Sequence, residues 1–313
     1  GFLFFPPPQR APCALVPVLS TQEQLPRLVR RLHNPVQACH RPPCNNRLQR
    51  PSRDTTTAPS PPGHRLAMKL PWLEPGDPFP DVAQAWAGAD PIPGLLAAGG
   101  MLDVDTLLQA YSHGIFPWFS SGQPILWWSP DPRMVLQTAN FRLHRSLRKT
   151  LEKFRRDAAC EIRINHAFGD VIRACSTSPR DGQAGTWILP QMVEAYESLH
   201  RAGYAHSVET WVDGVLVGGL YCVAVGKAVF GESMVARSTD ASKVALAALV
   251  ALCRRNQIPM VDCQQNTRHL ASLGAAELPR AVFVEHITRH HTLPAPEWVF
   301  EPLYWREILT PPP

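Results

Sequence analysis

Gly226-Lys227-Ala228-Val229-Phe230-Gly231-Glu232-Ser233-Met234 leads through a long Ala/Leu/Val segment into Met260-Val261-Asp262-Cys263-Gln264. Two short apolar runs flanking one amphipathic segment read as a strand, a helix and a second strand. Both runs carry acid or amide groups where burial normally excludes them. Side chains alternate along a strand, which assigns Asp262 and Gln264 to one face and Cys263 to the other. A carboxylate beside an amide in an apolar strand is costly unless the groups are paired or used. Spacing alone fits a satisfied internal hydrogen-bond pair as well as a site.

Working outward, the chain of 313 residues has room for two ordinary domains. Its 45% hydrophobic and 18% charged content fits a globular protein with a sizeable core. The net charge of +5 is unevenly placed. Residues 1–67 hold nine Arg against Glu23 and Asp54, a net +7, so the remainder is close to neutral at −2. That leader holds 13 of the 33 prolines and no sustained periodicity, so disorder is expected over 1–67. An Arg-rich, acid-poor leader superficially suits an organelle transit peptide. The first methionine is Met68, however, and a start placed too far upstream explains a methionine-free leader better. The eight cysteines show no Cys-x-x-Cys spacing, which argues against a zinc knuckle or a disulfide scaffold and for a reducing, cytoplasmic setting. With no apolar run of about 18 residues, no membrane span is expected.

From Trp72 the chain reads as loop, rich in proline, until the stretch Gly94–Gly100. A helix follows from Asp103 to Ser112, capped by Asp103 or Asp105 and ended before Gly114. Trp118, Trp127 and Trp128 fall within eleven residues. They either pack a small core or offer a stacking surface for a base, a contact contributing about 1–3 kcal/mol. A helix over 143–156 carries Arg145, Arg148, Lys149, Lys153, Arg155 and Arg156 against the single acid Glu152. Such a face is often merely solvated, but in a near-neutral body it favours an anionic partner. Strand 161–164, helices over 167–175 and 191–202, and a hairpin turning at Asp213-Gly214 come next. Gly218-Gly219 in the second hairpin strand marks close approach of another backbone or a ligand. A helix over 240–255 with an Asp240 cap, a final helix over 279–289 and a proline tail complete the reading.

Ten short stretches then match a known family in order: 94–100, 114–118, 124–133, 185–188, 205–209, 216–220, 231–234, 241–243, 262–264 and 271–275. On these residues the chain resembles the leucyl/phenylalanyl-tRNA–protein transferase family across about Gly94 to Arg289. The resemblance implies a mixed α/β, or α+β, protein. A small N-terminal domain over 68–138 would precede a Gcn5-related N-acetyltransferase-like catalytic domain over 139–300, with a tail over 301–313. It implies transfer of Leu or Phe from aminoacyl-tRNA to proteins beginning with Arg or Lys, marking them for N-end-rule degradation. The choice among Leu, Phe and Met stays open. Trp118 and Trp187 would hold the tRNA's terminal adenosine, and Met234 would line the aminoacyl pocket. Glu232, Asp262 and Gln264 would sit where amine meets ester. A proton relay, in which Gln264 accepts the amine proton while Asp262 polarises the amide, and positioning, in which Gln264 orients the amine, both stay open. In the second, Asp262 would fix Gln264 and offset developing positive charge. Arg145, Arg148 and Lys149 would meet the acceptor stem. No metal, no cofactor and a monomer are expected. Two departures, Val235-Ala236 in place of Phe-Ser and Cys222 in place of Gly, point to a reshaped pocket and a local packing change.

Two rivals remain at this stage. An acyl-CoA-dependent N-acyltransferase would normally carry an Arg/Gln-x-x-Gly-x-Gly/Ala turn for the pyrophosphate, which the chain lacks. A non-catalytic RNA-binding factor would leave Glu232, Asp262 and Gln264 without a role.

Overall fold

In the computed structural model, residues 70–88, 90, 92–178 and 188–310 are described. The expected disorder over 1–67 and the site residue Trp187 lie outside them. The described chain is a mixed α/β structure with two sheets.

The smaller sheet takes β1 (Trp72–Leu73), β2 (Leu95–Gly99), β3 (Phe116–Pro117) and β4 (Leu126–Trp128) in the order β1-β2-β4-β3. Helix α1 (Val104–Ser112) lies between β2 and β3 in sequence. Its N-cap is Asp103, whose carboxylate accepts the Thr106 N–H at 2.8 Å. Trp127 and Trp128 are buried in this sheet, and their indole N–H groups donate to Gly99 O and Trp118 O. Both therefore serve packing, as one of the two sequence readings allowed.

The larger sheet draws on β5 (Arg133–Gln137), β6 (Cys160–Ile164), β7 (Ala205–Val212), β8 (Val215–Val225), β9 (Ala228–Ala236), β10 (Met260–Asp262) and β11 (Ala276–Leu278). Its order is β11-β5-β10-β9-β8-β7-β6. Only the β9–β10 pair is parallel. The expected β7–β8 hairpin turns at Asp213 and Gly214, both with positive φ (50° and 72°). Around the sheet lie α2 (Arg145–Phe154), α3 (Phe168–Thr177), α4 (Pro190–Arg201), α5 (Ala241–Arg255), the short α6 (Arg268–Ser272) and α7 (Arg280–His290).

Helix α5 links β9 to β10 and buries Ala241 and every residue from Val244 to Cys253. A Cβ on Gly218 would meet the Ala241 Cβ at 2.5 Å, so the glycine admits the start of this helix to the sheet. The helix N-terminus differs from expectation. Asp240 sits in the left-handed region and its carboxylate pairs with Lys243 at 2.8 Å instead of capping the backbone. The segment read as a tail also differs, because Trp305 and Ile308 are buried against the α5 side of the core. Leu303, Tyr304, Trp305, Ile308 and Leu309 fall within seven residues, too short a run for their spacing to reveal that docking from sequence.

Candidate active site

Parallel β9 and β10 pair only at Val229–Val261 and Phe230–Asp262. Strand β10 ends at Asp262 while β9 runs on to Ala236, and a cleft of about 450 Å³ lies beyond the paired positions. Apolar groups from β8, β9, α5 and α6, including Leu220, Met234, Leu246, Leu249 and Leu270, share its lining with Trp118, Glu232 and Gln264. A mostly apolar pocket with a few convergent polar groups is the usual form of a small-molecule site.

A β-bulge sets Glu232. Tyr221 faces Ser233 while the next residue, Cys222, faces Gly231, which leaves Glu232 without a cross-strand partner. The extra residue re-aims the side chain. Tyr111 of α1 donates to Glu232 Oε1 at 2.8 Å, and Tyr196 of α4 lies 3.4 Å from Oε2. The two phenol oxygens are themselves 2.5 Å apart. Burial pushes the Glu232 carboxyl up to about 8, against the bond from Tyr111 and with the nearby charge of Asp262 adding to the rise. Burial likewise holds both phenols well above their usual range, and the Glu232 charge adds to that.

Gln264 departs from the expected strand. Strand β10 ends at Asp262, and Gln264 has a φ of 54°. That left-handed conformation costs a non-glycine residue about 1–2 kcal/mol, so it persists only where surrounding contacts hold it. Two contacts do so. Its backbone N–H donates to Asp262 Oδ1 at 3.0 Å, and its side-chain amide donates to Glu232 Oε1 at 3.3 Å. Strand alternation is broken at this point, and Cys263 and Gln264 both reach the cleft.

Asp262 is buried behind the lining, at 1% exposure. Its carboxylate takes two bonds from Arg133, Nε to Oδ1 at 2.8 Å and Nη2 to Oδ2 at 2.6 Å. An aspartate already matched by a buried guanidinium is poorly placed to offset new charge on an amine. Its hold on Gln264 runs through the backbone rather than the side chain. A pair of this kind contributes little net stability, yet breaking it costs about 3–5 kcal/mol.

Trp118 is half-buried on the cleft, its ring 5.4 Å from that of Trp128. Met234 also lines the cleft, whereas the departing residue Val235 is buried and has no part in the lining. The basic helix is remote in kind. Arg145 and Lys149 are exposed, but Arg148 donates to Leu309 O at 2.7 Å. The buried thiols of Cys222 and Cys253 and the half-buried thiol of Cys263 are all pushed up by desolvation, which leaves each a poor nucleophile. Among the described residues, no group of three His, Cys, Asp or Glu could hold a metal ion.

Sequence reasoning missed Arg133, Tyr111 and Tyr196. Arg133 had a visible signal, since an arginine opening the apolar run Met134-Val135-Leu136 must find a carboxylate if buried. The tyrosines had none, being ordinary apolar-face residues of two separate helices.

Comparison with known proteins accords with this geometry. The family model described as leucyl/phenylalanyl-tRNA protein transferase matches residues 135–288, and the model of that family's N-terminal domain matches 100–131. A leucyl/phenylalanyl-tRNA–protein transferase of Polaromonas sp. is 65% identical over 246 residues, 79% of this chain and 96% of that protein. One from Albidiferax ferrireducens is 59% identical over 242 residues, covering 77% and 95%. A solved structure of a conserved Bacteroides thetaiotaomicron protein of unknown function is 12% identical over 45% of this chain and 53% of that one, with a TM-score of 0.35 that carries no argument. The chain belongs to the leucyl/phenylalanyl-tRNA–protein transferase family.

Proposed function

We infer that the protein is an aminoacyltransferase that moves Leu or Phe from aminoacyl-tRNA to the N-terminal α-amine of a protein. The observation that carries this reading is the cleft itself, where an apolar lining and Trp118 meet the Gln264–Glu232 pair in a chain of this family. An aminoacyl side chain suits the apolar lining beside Met234, and the terminal adenosine suits the ring of Trp118. By family resemblance Trp187 completes the adenosine grip. The amine then meets the ester beside Gln264 and Glu232.

The reaction needs no further activation, because the donor is already an ester. The amine nitrogen attacks the ester carbonyl, a C–N bond forms and the ester C–O bond breaks. The proton lost by the amine returns to the departing tRNA oxygen, by way of the neighbouring 2′-hydroxyl. A protein α-amine has a pKa of about 7.7–8.0, so roughly a tenth is free base at neutral pH. Deprotonating the rest is worth about 1 kcal/mol, whereas holding amine and ester together is worth about 7–11 kcal/mol. Positioning therefore dominates. With its carboxyl pushed up to about 8, Glu232 is mostly protonated at neutral pH, so it serves as a neutral hydrogen-bonding partner that holds Gln264 rather than as the base for the ammonium. Gln264, a neutral amide, orients the amine and is too weak a base to accept its proton.

Acceptors beginning with Arg or Lys, delivery to N-end-rule degradation, a cytoplasmic setting and a monomeric state extend this reading on the family resemblance. No described helix is long and apolar enough to cross a membrane. A Gcn5-related N-acetyltransferase-like domain over 139–300, after a small domain over 68–138, extends the reading on the family resemblance. It is supported by the parallel β9–α5–β10 unit, although β5 (Arg133–Gln137), before that boundary, already pairs within the larger sheet. The test is transfer of labelled leucine from leucyl-tRNA to a peptide with N-terminal Arg, with acetyl-CoA as control donor. Label on the Arg peptide from leucyl-tRNA alone is the expected result. Acylation from acetyl-CoA, or tRNA binding without transfer, would overturn the reading.

A further inference from the structure

We propose that Arg133 is a positioning residue for this transfer, holding Gln264 in place through Asp262. The proposal rests on the aminoacyl-transfer reading above and adds a residue with no part in the cleft lining.

Arg133 opens β5 and is fully buried. A guanidinium presents its donors in a rigid planar fork, and here three of them are used on two separate segments. Nε and Nη2 fix both oxygens of Asp262, at 2.8 and 2.6 Å. Nη1 donates to Gly114 O at 3.1 Å, in the connection between α1 and β3. The guanidinium also lies over the rings of Phe116 and Phe283, at 4.8 and 4.5 Å. Gly114 itself has a positive φ, and a Cβ there would meet the Phe283 ring at 2.9 Å, so this packing is tight.

These contacts join the two sides of the cleft. The connection that Arg133 grips runs from Tyr111, which bonds Glu232, to Phe116 and Trp118, which line the cleft. The carboxylate that Arg133 grips carries the Gln264 backbone N–H on the same Oδ1 that Nε touches. A bidentate pair prevents that carboxylate from rotating, and the carboxylate sustains the left-handed backbone from which the Gln264 amide reaches Glu232. One guanidinium thus sets the spacing between the adenosine side and the amine side of the site. A purely stabilising ion pair would need neither the third bond to Gly114 nor the shared oxygen.

The test compares wild-type chain with Arg133→Lys and with the double variant Arg133→Met/Asp262→Leu, which replaces the pair by apolar side chains and protects folding. Each is first checked for cooperative unfolding and for binding of an aminoacyl-adenosine analogue. Leucine transfer to an N-terminal Arg peptide is then measured. Lysine keeps the charge and loses the fork, so kcat should fall about 10- to 100-fold while KM for leucyl-tRNA stays within about threefold. The folded double variant should be at least as slow. A folded variant of either kind with wild-type kcat, or one altered only in KM, overturns the proposal and leaves the functional reading standing. A wild-type chain that transfers no leucine removes that reading and this proposal together.

Discussion

The side-chain amide of Gln264 donates to Glu232 Oε1 at 3.3 Å, joining the segment just after β10 to the middle of β9, two residues past the last position where those parallel strands pair. Glu232 is the acidic group that this side chain reaches, and its protonation has consequences for stability. Burial pushes its carboxyl from 4.5 up to about 8, so between those values the folded chain keeps a proton that the unfolded chain has released. Stability present below about 4.5 is withdrawn as pH rises towards about 8. Glu232→Gln removes this penalty. It should raise the Tm, with a gain that is small at pH 5 and grows to a few kcal/mol by pH 8, while transfer falls tenfold or more. Thermal unfolding across that range checks it, and a gain independent of pH would contradict the assignment.

Asp262→Asn leaves Arg133 buried with its charge unmatched. The variant should lose about 3–5 kcal/mol of stability as well as activity, whereas Gln264→Ala should lose activity with little change in stability. Urea midpoints of the two variants separate these outcomes. An Asp262→Asn chain as stable as wild type would mean the pair is not the anchor described here.

Trp118 stands half-buried on the cleft, in contrast to the fully packed Trp127 and Trp128. Trp118→Ala should weaken an aminoacyl-adenosine analogue by about 1–3 kcal/mol, and Trp118→Phe by less. Calorimetric titration measures both, and unchanged affinity in the Ala variant would return Trp118 to a packing role.

On the basic helix, Arg145 and Lys149 are exposed while Arg148 is tied to Leu309. Replacing Arg145 and Lys149 together by Ala should weaken aminoacyl-tRNA binding and flatten its log–log salt slope by up to about 2. Arg148→Ala should lower stability more than it lowers the slope. A double variant with the wild-type slope would make this helix a solvated face only.

What the sequence revealed follows from the range of each signal. The β9–α5–β10 unit and the β7–β8 hairpin were legible because local period and turn residues specify them. Strands β1, β3 and β4 of the smaller sheet went unread, since β1 and β3 have two residues each and β4 three, too few for alternation to register. The five residues of β2 are apolar or small throughout, with no alternation to mark a strand. Glu232, Gln264, Trp118 and Met234 were singled out and share one cleft. The partners that fix them were not visible. Arg133 lies 129 positions from Asp262, and Tyr111 lies 121 from Glu232, distances over which no local pattern carries information.

The most direct test of transfer by holding, rather than by proton relay, is the pH profile of kcat/KM for Gln264→Glu. The substitution keeps hydrogen-bond reach and adds a base of pKa about 4.3, but it removes the N–H that Glu232 accepts and sets two carboxyls side by side. The account predicts a folded enzyme slowed tenfold or more, its profile still following the acceptor amine. A Gln264→Glu enzyme with the wild-type rate and an added acidic limb would contradict it.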